Sequence, residues 1–157
     1  MRYLEPFRNK IIWCPFDTEE SEFVKVFQEN NYNVEYSHIW NGQDFFRYEP
    51  KNWDIIISNP PFTGKREIFE HALGFNKPFC LLMNINWLND SAPAQLFRNI
   101  ELQLLLFEKR MQFKGKQQKE KINFNSAYFC RDFLPKQIIW ADFSPIGQQK
   151  LFNITNS

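Results

Sequence analysis

The strongest constraint on the fold is a run of apolar residues that ends in two consecutive prolines. Trp53–Ser58 lacks the alternation of apolar and polar residues that is typical of a half-exposed strand. Its β-branched isoleucines favour a strand that is covered on both faces, as in a parallel sheet. Asn59-Pro60-Pro61-Phe62 ends this strand, because each proline fixes φ and removes a backbone donor. The sequence therefore predicts a domain built around a buried strand.

Short apolar segments alternate with amphipathic ones along the rest of the chain, which is the pattern of an α/β domain. Strands are predicted at Lys10–Cys14, Asn33–Ser37, Trp53–Ser58, Phe79–Ile85, Glu101–Phe107, Ser126–Arg131 and Gln137–Trp140. We expect a mostly parallel sheet with helices on both faces, closed at one edge by an antiparallel C-terminal hairpin. Ligands of such sheets bind outside the carboxyl ends of the strands, so the loops that follow the strands are the first places to look for function.

Two of the three predicted helices begin with a capping signal. Asp17, with Glu20 three residues later, has the spacing of a capping box, which makes Asp17 the predicted N-cap of the first helix. Thr63 is the predicted cap of a helix over Lys65–Phe75, and the third helix is predicted near Ala92–Asn99.

The length and the charge limit what the chain can be. A chain of 157 residues makes one ordinary domain, so we expect a single domain over residues 1–157 without a separate target-recognition domain. The net charge of +1 excludes a polycation that coats nucleic acid. Between Lys109 and Lys121, however, the chain carries six basic residues and one acid. This segment is either a solvated loop or a contact for a polyanion.

The cysteines and the apolar segments point to a soluble, cytoplasmic protein. Cys14, Cys80 and Cys130 are widely spaced in apolar runs, which predicts buried free thiols and neither a disulfide framework nor a metal site. No uncharged stretch reaches 18 residues, and the N-terminus lacks the apolar region of a signal peptide, so no membrane is expected as a partner.

The Pro-Pro loop is suited to holding a planar amino group. It is stiff, it presents carbonyl oxygens and the Asn59 side chain as hydrogen-bond acceptors, and Phe62 supplies a ring for stacking. An amine conjugated to an aromatic base is a weak nucleophile, and two acceptors arranged for a tetrahedral nitrogen favour its reacting geometry. The plain alternative is a turn that only ends a strand.

Asp54-Ile55-Ile56-Ile57-Ser58-Asn59-Pro60-Pro61-Phe62 resembles the (D/N)PP(Y/F/W) motif of S-adenosylmethionine-dependent amino-methyltransferases, above all the adenine-N6 DNA methyltransferases. The resemblance implies a Rossmann-like class I methyltransferase sheet and S-adenosyl-L-methionine as cofactor. It also implies a catalytic loop made of Asn59, Pro60, Pro61 and Phe62, with Asn59 close to the cofactor as well.

Two further segments extend the resemblance. Asn41–Phe46 is similar to the short third motif of the family, which would make Asp44 and Phe45 cofactor contacts, although a polar turn before a strand has the same pattern. Arg110–Lys116 and Asn123–Tyr128 are similar to the family's eighth motif. There, Phe113 or Phe124 would clamp a flipped base, and Lys114 and Lys116 would follow phosphates; Lys65 is a further expected substrate contact.

The first loop departs from the family pattern. The segment from Trp13 to Ser21 contains Pro15-Phe16 but none of the glycines that let backbone approach the cofactor. The resemblance still assigns Cys14, Pro15, Phe16 and Asp17 to cofactor binding. Asp17 would meet the cofactor's ammonium group, unless it only caps its helix.

These observations together predict a methyltransferase that acts on the exocyclic N6 amine of adenine in DNA by direct in-line transfer. Related motifs occur in methyltransferases of RNA bases and of protein glutamine, and the basic segment favours nucleic acid, DNA more than RNA. The alternative of another class is an inactive methyltransferase-fold protein that binds nucleic acid or a protein. Because no separate target-recognition domain is expected, a homodimer or a partner protein would supply the target specificity of the enzyme.

Overall fold

The computed structural model describes residues 2–107 and 125–141, which form one seven-stranded sheet with helices. The strands are β1 (Ile11–Cys14), β2 (Asn33–Tyr36), β3 (Ile55–Ser58), β4 (Phe79–Asn84), β5 (Gln103–Phe107), β6 (Ser126–Arg131) and β7 (Ile138–Ala141). The α-helices are α1 (Glu22–Glu29), α2 (Lys65–Gly74) and α3 (Ser91–Leu96), and short 3₁₀ segments lie at Arg2–Phe7, Ile39–Asn41 and Ile85–Asn89. Each predicted strand is present, with ends that differ by no more than two residues.

The strand order is β2-β1-β3-β4-β6-β5-β7, and the sheet is mostly parallel as predicted. Within the described residues β6 alone runs against the other strands, paired with β4 on one side and β5 on the other. The prediction that the last two strands form a hairpin at the edge is wrong. Both edges of β6 are already occupied, so β7 pairs instead with the free edge of β5, in parallel.

Helices cover both faces of the sheet. Successive side chains of a strand point to opposite faces. In β1, Ile12 and Cys14 accordingly join the core beneath α1, whereas Trp13 joins the core beneath α2. Full burial of β3 on both faces explains why its sequence is continuously apolar rather than alternating.

Two predicted helix caps are wrong. The first helix begins at Glu22 with Ser21 as N-cap, and the backbone N–H of Thr18 donates to Ser21 Oγ over 2.9 Å. Asp17 is therefore four residues too early to cap it. The N-cap of α2 is Gly64, not Thr63, in a left-handed conformation with φ of 72° that glycine adopts without steric cost.

The chain reverses direction across the sheet between β1 and β3. From β1 it passes to β2 on one side, and then returns to β3 on the other side of β1. The helices after β1 and β3 pack on opposite faces. The loops after these two strands consequently diverge and leave a crevice at the carboxyl ends, which is where open α/β sheets bind ligands.

Cys14, Cys80 and Cys130 are free and buried, as predicted. Among the described residues, no group of histidine, cysteine or acidic side chains is arranged to hold a metal ion. In the same part of the chain, every helix is too short or too polar to cross a bilayer.

Candidate functional site

A cleft of about 640 Å³ opens at the crevice between the loops that follow β1, β2 and β3. Most of its lining comes from four loop segments: Pro15 and Phe16, His38 and Ile39, Asp44 to Phe46, and Asn59 to Gly64; Ile68 of α2 completes it. The four segments are up to about fifty positions apart in sequence. The sheet therefore brings Asn59–Phe62, which we call the acceptor loop, into the same cleft as most of the residues that were predicted to contact the cofactor.

The acceptor loop forms one wall of the cleft. Asn59 is exposed directly after the buried Ser58, and its amide has no hydrogen-bond partner among the described residues. Pro60 is buried and Phe62 is 49% exposed, so that a rigid backbone supports a ring that solvent and ligands can reach. This wall offers an amide oxygen, backbone carbonyl groups and an aromatic surface to a planar ligand.

The opposite wall of the cleft consists of an apolar surface of aromatic rings and one carboxylate. The ring of Phe45 is buried and lies 4.9 Å from the ring of Phe16, centroid to centroid, and 5.6 Å from that of Trp13. Asp44 Oδ1 accepts a hydrogen bond from the backbone N–H of Phe46 over 3.1 Å, which fixes the turn. The other carboxylate oxygen has no hydrogen-bond partner in the described part of the chain and can accept one from a ligand.

His38 and Ile39 also line the cleft; the strand-end rule selects the loop after Ser37, but the sequence reasoning assigned neither residue a role. The backbone N–H of Trp40 donates to His38 Nδ1 over 3.0 Å, so a neutral His38 ring carries its proton on Nε2 and can donate there. The turn ends at Gly42, whose φ of 73° favours glycine. The available signal was position alone, since His38 follows directly on the predicted second strand.

A buried polar network behind the cleft joins the three strand ends. Asp17 is 7% exposed, and its carboxylate accepts a hydrogen bond from Ser58 Oγ over 2.7 Å. Its backbone N–H donates to the carbonyl of Ser37 over 3.1 Å, and Trp13 Nε1 donates to Ser37 Oγ over 2.9 Å. Since Ser58 directly precedes Asn59, this network holds the acceptor loop in a fixed position relative to the loop that follows β1.

Burial raises the pKa of the Asp17 carboxyl above its ordinary value, although hydrogen bonds from Ser58 and Ser21 partly offset that effect. Burial also raises the pKa of the Cys14 thiol well above its usual range, with a further contribution from Asp17. Cys14 is thus a neutral core residue rather than a nucleophile.

The expected site residues divide into three groups. Those that line the cleft are Pro15, Phe16, Asp44, Phe45, Asn59, Pro60, Pro61 and Phe62. Cys14 and Asp17 lie behind it, and Lys65 is half-buried at the start of α2, next to the cleft residue Gly64. Phe113, Lys114, Lys116 and Phe124 lie outside the described residues.

The buried carboxyl of Asp17 leads us to predict how the stability of the fold depends on pH. Its raised pKa means that the folded chain holds the proton more tightly than the unfolded chain, whose aspartate pKa is about 3.9. Above that pH, ionisation of Asp17 opposes folding, and the free energy of unfolding falls as the pH rises through the folded-state pKa. We expect Asp17→Asn to remove this loss, so urea unfolding from pH 4 to pH 8 should show the variant gaining stability relative to the wild type.

Asp90→Asn is the matched control for this experiment. Asp90 is an exposed N-cap of α3, a position that asparagine fills equally well. Its substitution removes one carboxylate from an exposed position, and so controls for the loss of a single negative charge. A difference between Asp17→Asn and the wild type that stays constant or shrinks as the pH rises would contradict the raised pKa of the Asp17 carboxyl.

Comparison with known proteins does not assign a family. No protein-family model matches the sequence, and no curated protein matches it. The functional conclusion therefore rests on the residues of the cleft.

Proposed function

We propose that the protein is an S-adenosylmethionine-dependent methyltransferase that acts on the N6 amine of adenine in DNA, built on a Rossmann-like class I methyltransferase sheet. The observation that carries the proposal is the Asn59–Phe62 acceptor loop. It opens into a cleft at the reversal point of the sheet, and the residues expected to bind the cofactor line the same cleft. The mostly parallel sheet, in which β6 alone among the described strands is antiparallel, is consistent with a Rossmann-like fold.

The residues of the cleft fit the cofactor. The volume of about 640 Å³ lies within the range of roughly 300–1,000 Å³ that is usual for ligand pockets. Phe16 and Phe45 provide an apolar surface for the adenine ring, and Asp44 provides an acceptor for its amino group. Although the first loop lacks glycine, Pro15 and Phe16 line the cleft without closing it, so the space exists without a glycine turn.

The acceptor loop would bind and orient the target amine. Asn59 Oδ1 and the Pro60 carbonyl would each accept a hydrogen bond from one amine hydrogen, which turns the nitrogen lone pair away from the ring of the base. Phe62 would stack on that base and fix its plane. The prolines hold these groups in place beforehand, so little of the binding free energy is spent on ordering them.

S-adenosylmethionine, when bound, supplies an electrophilic methyl group. The residues of this chain would contribute position rather than covalent chemistry, with Asp44, Phe45 and Phe16 on the cofactor side and Asn59 on the amine side. The buried Asp17–Ser58 hydrogen bond would keep the two sides at a constant separation.

The proposal is tested by methyl transfer from isotopically labelled S-adenosylmethionine to an adenine-containing oligonucleotide. Label is expected in N6-methyladenine after digestion to nucleosides. An oligonucleotide without adenine is the control and should remain unlabelled. Label in an RNA base or in a protein glutamine, with none in DNA, would support methyl transfer to an amino group as the reaction but contradict DNA adenine as the substrate.

One observation favours a second candidate, a methyltransferase-fold protein that binds a partner without catalysis. Cys14 at the end of β1 and Asp17 in the loop that follows it are buried behind the cleft rather than lining it, and that loop has no glycine. Calorimetry with S-adenosylmethionine separates the two candidates. The enzyme should bind the cofactor below millimolar concentration, whereas absence of binding at millimolar cofactor would support the second candidate.

A further inference from the structure

Exposed apolar side chains are concentrated at the mouth of the cleft. In the described part of the chain, six large apolar side chains are exposed, namely Ile39, Trp40, Phe46, Phe62, Ile138 and Trp140. Ile39, Phe46 and Phe62 line the cleft, and Trp40 follows Ile39 with 83% of its surface exposed. We call the three aromatic members of this group, Trp40, Phe46 and Phe62, the aromatic rim. Exposed apolar side chains that cluster in one patch often mark a site where the protein binds another molecule.

The local structure holds Trp40 in this exposed position. Its backbone N–H is bonded to His38 Nδ1, and the two rings lie 4.3 Å apart, centroid to centroid. The backbone N–H groups of Asn41 and Gln43 both donate to the carbonyl of His38, which closes the turn. An indole on a turn fixed in this way offers one flat face to a ligand at little cost in conformational entropy.

Three basic residues flank the rim and the cleft in the sequence. Arg47 follows the rim residue Phe46, and Lys65 and Arg66 follow the cleft residue Gly64. Glu67 and Glu70 line a neighbouring groove that shares Phe46 with the cleft, and Glu67 Oε2 also lies beside the cleft residue Gly64, so these acids would repel a phosphate backbone on that side. A nucleic acid strand would therefore cross the cleft mouth between Phe62 and Trp40 rather than run over that groove.

We propose that the aromatic rim binds unpaired nucleotides on either side of the target base, with Trp40 stacked on a neighbouring base, so that the substrate is single-stranded rather than intact duplex DNA. An exposed indole can stack on a base only where that base has left its own stack. Enzymes that modify bases act on single strands or extrude the target, and a substrate that is already unpaired avoids the cost of extrusion. The inference rests on the proposed function for the identity of the target base.

Two exposed tryptophans permit a matched test. Trp140 on the edge strand β7 is 63% exposed and does not line the cleft, whereas Trp13, Trp53 and Trp87 are buried. Fluorescence anisotropy would measure the binding of a labelled single-stranded, adenine-containing oligonucleotide to the wild type, Trp40→Ala and Trp140→Ala. Trp40→Ala is expected to weaken binding about tenfold or more, on the scale of one lost stacked base, and Trp140→Ala less than threefold.

Two further readouts identify the bound form. The wild type should bind the single strand at least about tenfold more tightly than the same sequence as a duplex, and Trp40→Ala should reduce that preference. The single strand should quench tryptophan emission in the wild type and in Trp140→Ala, but less in Trp40→Ala. Because Trp40 is exposed, thermal unfolding of its variant should match that of the wild type.

The outcomes separate this inference from the proposed function. Trp40-dependent binding of the oligonucleotide without any methyl transfer would contradict the proposed methyltransferase activity but support the rim as a nucleic-acid-binding surface. Methyl transfer that is equally fast on duplex and single strand, and that Trp40→Ala does not change, would contradict the binding of unpaired nucleotides by the rim. If Trp40→Ala instead dissociates a dimer in sedimentation and leaves oligonucleotide binding unchanged, the rim is a surface between two copies of the chain and the inference is wrong.

Discussion

Replacing Asn59 with alanine is expected to lower methyl transfer to adenine-containing DNA by a factor of about 100 or more. In the proposed mechanism the Asn59 amide oxygen accepts a hydrogen bond from the target amine as its nitrogen becomes tetrahedral. Removal of one such group, which acts mainly in the transition state, costs roughly two to three orders of magnitude in rate. The measurement is the rate of label transfer with both substrates saturating, so that weaker binding does not imitate a loss of rate.

Two variants make this experiment specific. Asn52 is an exposed asparagine outside the cleft, and Asn52→Ala should leave the rate within about twofold of the wild type. Asn59→Asp keeps an oxygen acceptor and should therefore retain more activity than Asn59→Ala. Activity of Asn59→Ala within tenfold of the wild type would sink the proposed mechanism, even if the cofactor binds.

Replacing Phe69 with alanine is expected to destabilise the fold by about 3–5 kcal/mol, the usual cost of truncating a buried aromatic side chain. Phe69 is fully buried on α2, and the rings around it are those of Phe79, Trp87, Phe97 and Phe129. Alanine would leave a cavity that these large, rigid rings fill poorly. The loss is a large part of the roughly 5–15 kcal/mol that stabilises an ordinary domain.

Phe62→Ala provides the comparison within the same residue type. Phe62 is half exposed at the cleft, so its truncation should cost far less in unfolding free energy while reducing the binding of the target base. Urea unfolding measures both variants. A loss below about 1 kcal/mol for Phe69→Ala, or equal losses for the two variants, would show that the aromatic cluster beneath α2 is not the stabilising core described above.

The sequence alone was enough to locate the strands and the acceptor loop. The burial of β3 follows from its uninterrupted isoleucines, and its end follows from the prolines, which act on their own backbone whatever surrounds them. Because open α/β sheets bind ligands outside the carboxyl ends of their strands, the loops after Cys14 and Ser58 were among the first places to look for function, and both line one cleft. Asp44 and Phe45 were expected there only because Asn41–Phe46 resembles a methyltransferase motif, and both residues line that cleft.

The role of Asp17 shows where local reasoning fails. Its spacing from Glu20 satisfies the pattern of a capping box, yet its carboxylate bonds Ser58, 41 positions away. A capping pattern describes one helix only, whereas the fold had a buried hydroxyl at the end of β3 that needed an acceptor. The helix then begins at Glu22, where Ser21 supplies the N-cap.

The sequence by itself determined the order of strands and helices, the burial of the central strand and the presence of stiff acceptors at its end, because these depend on neighbouring residues. Only the tertiary structure decided that β7 pairs with β5, that His38 and Ile39 form a third wall of the cleft, and that Trp40 stands exposed beside it. These features arise from pairing and packing between distant segments, and no local pattern records which strand edge is free or which side of a turn faces a ligand.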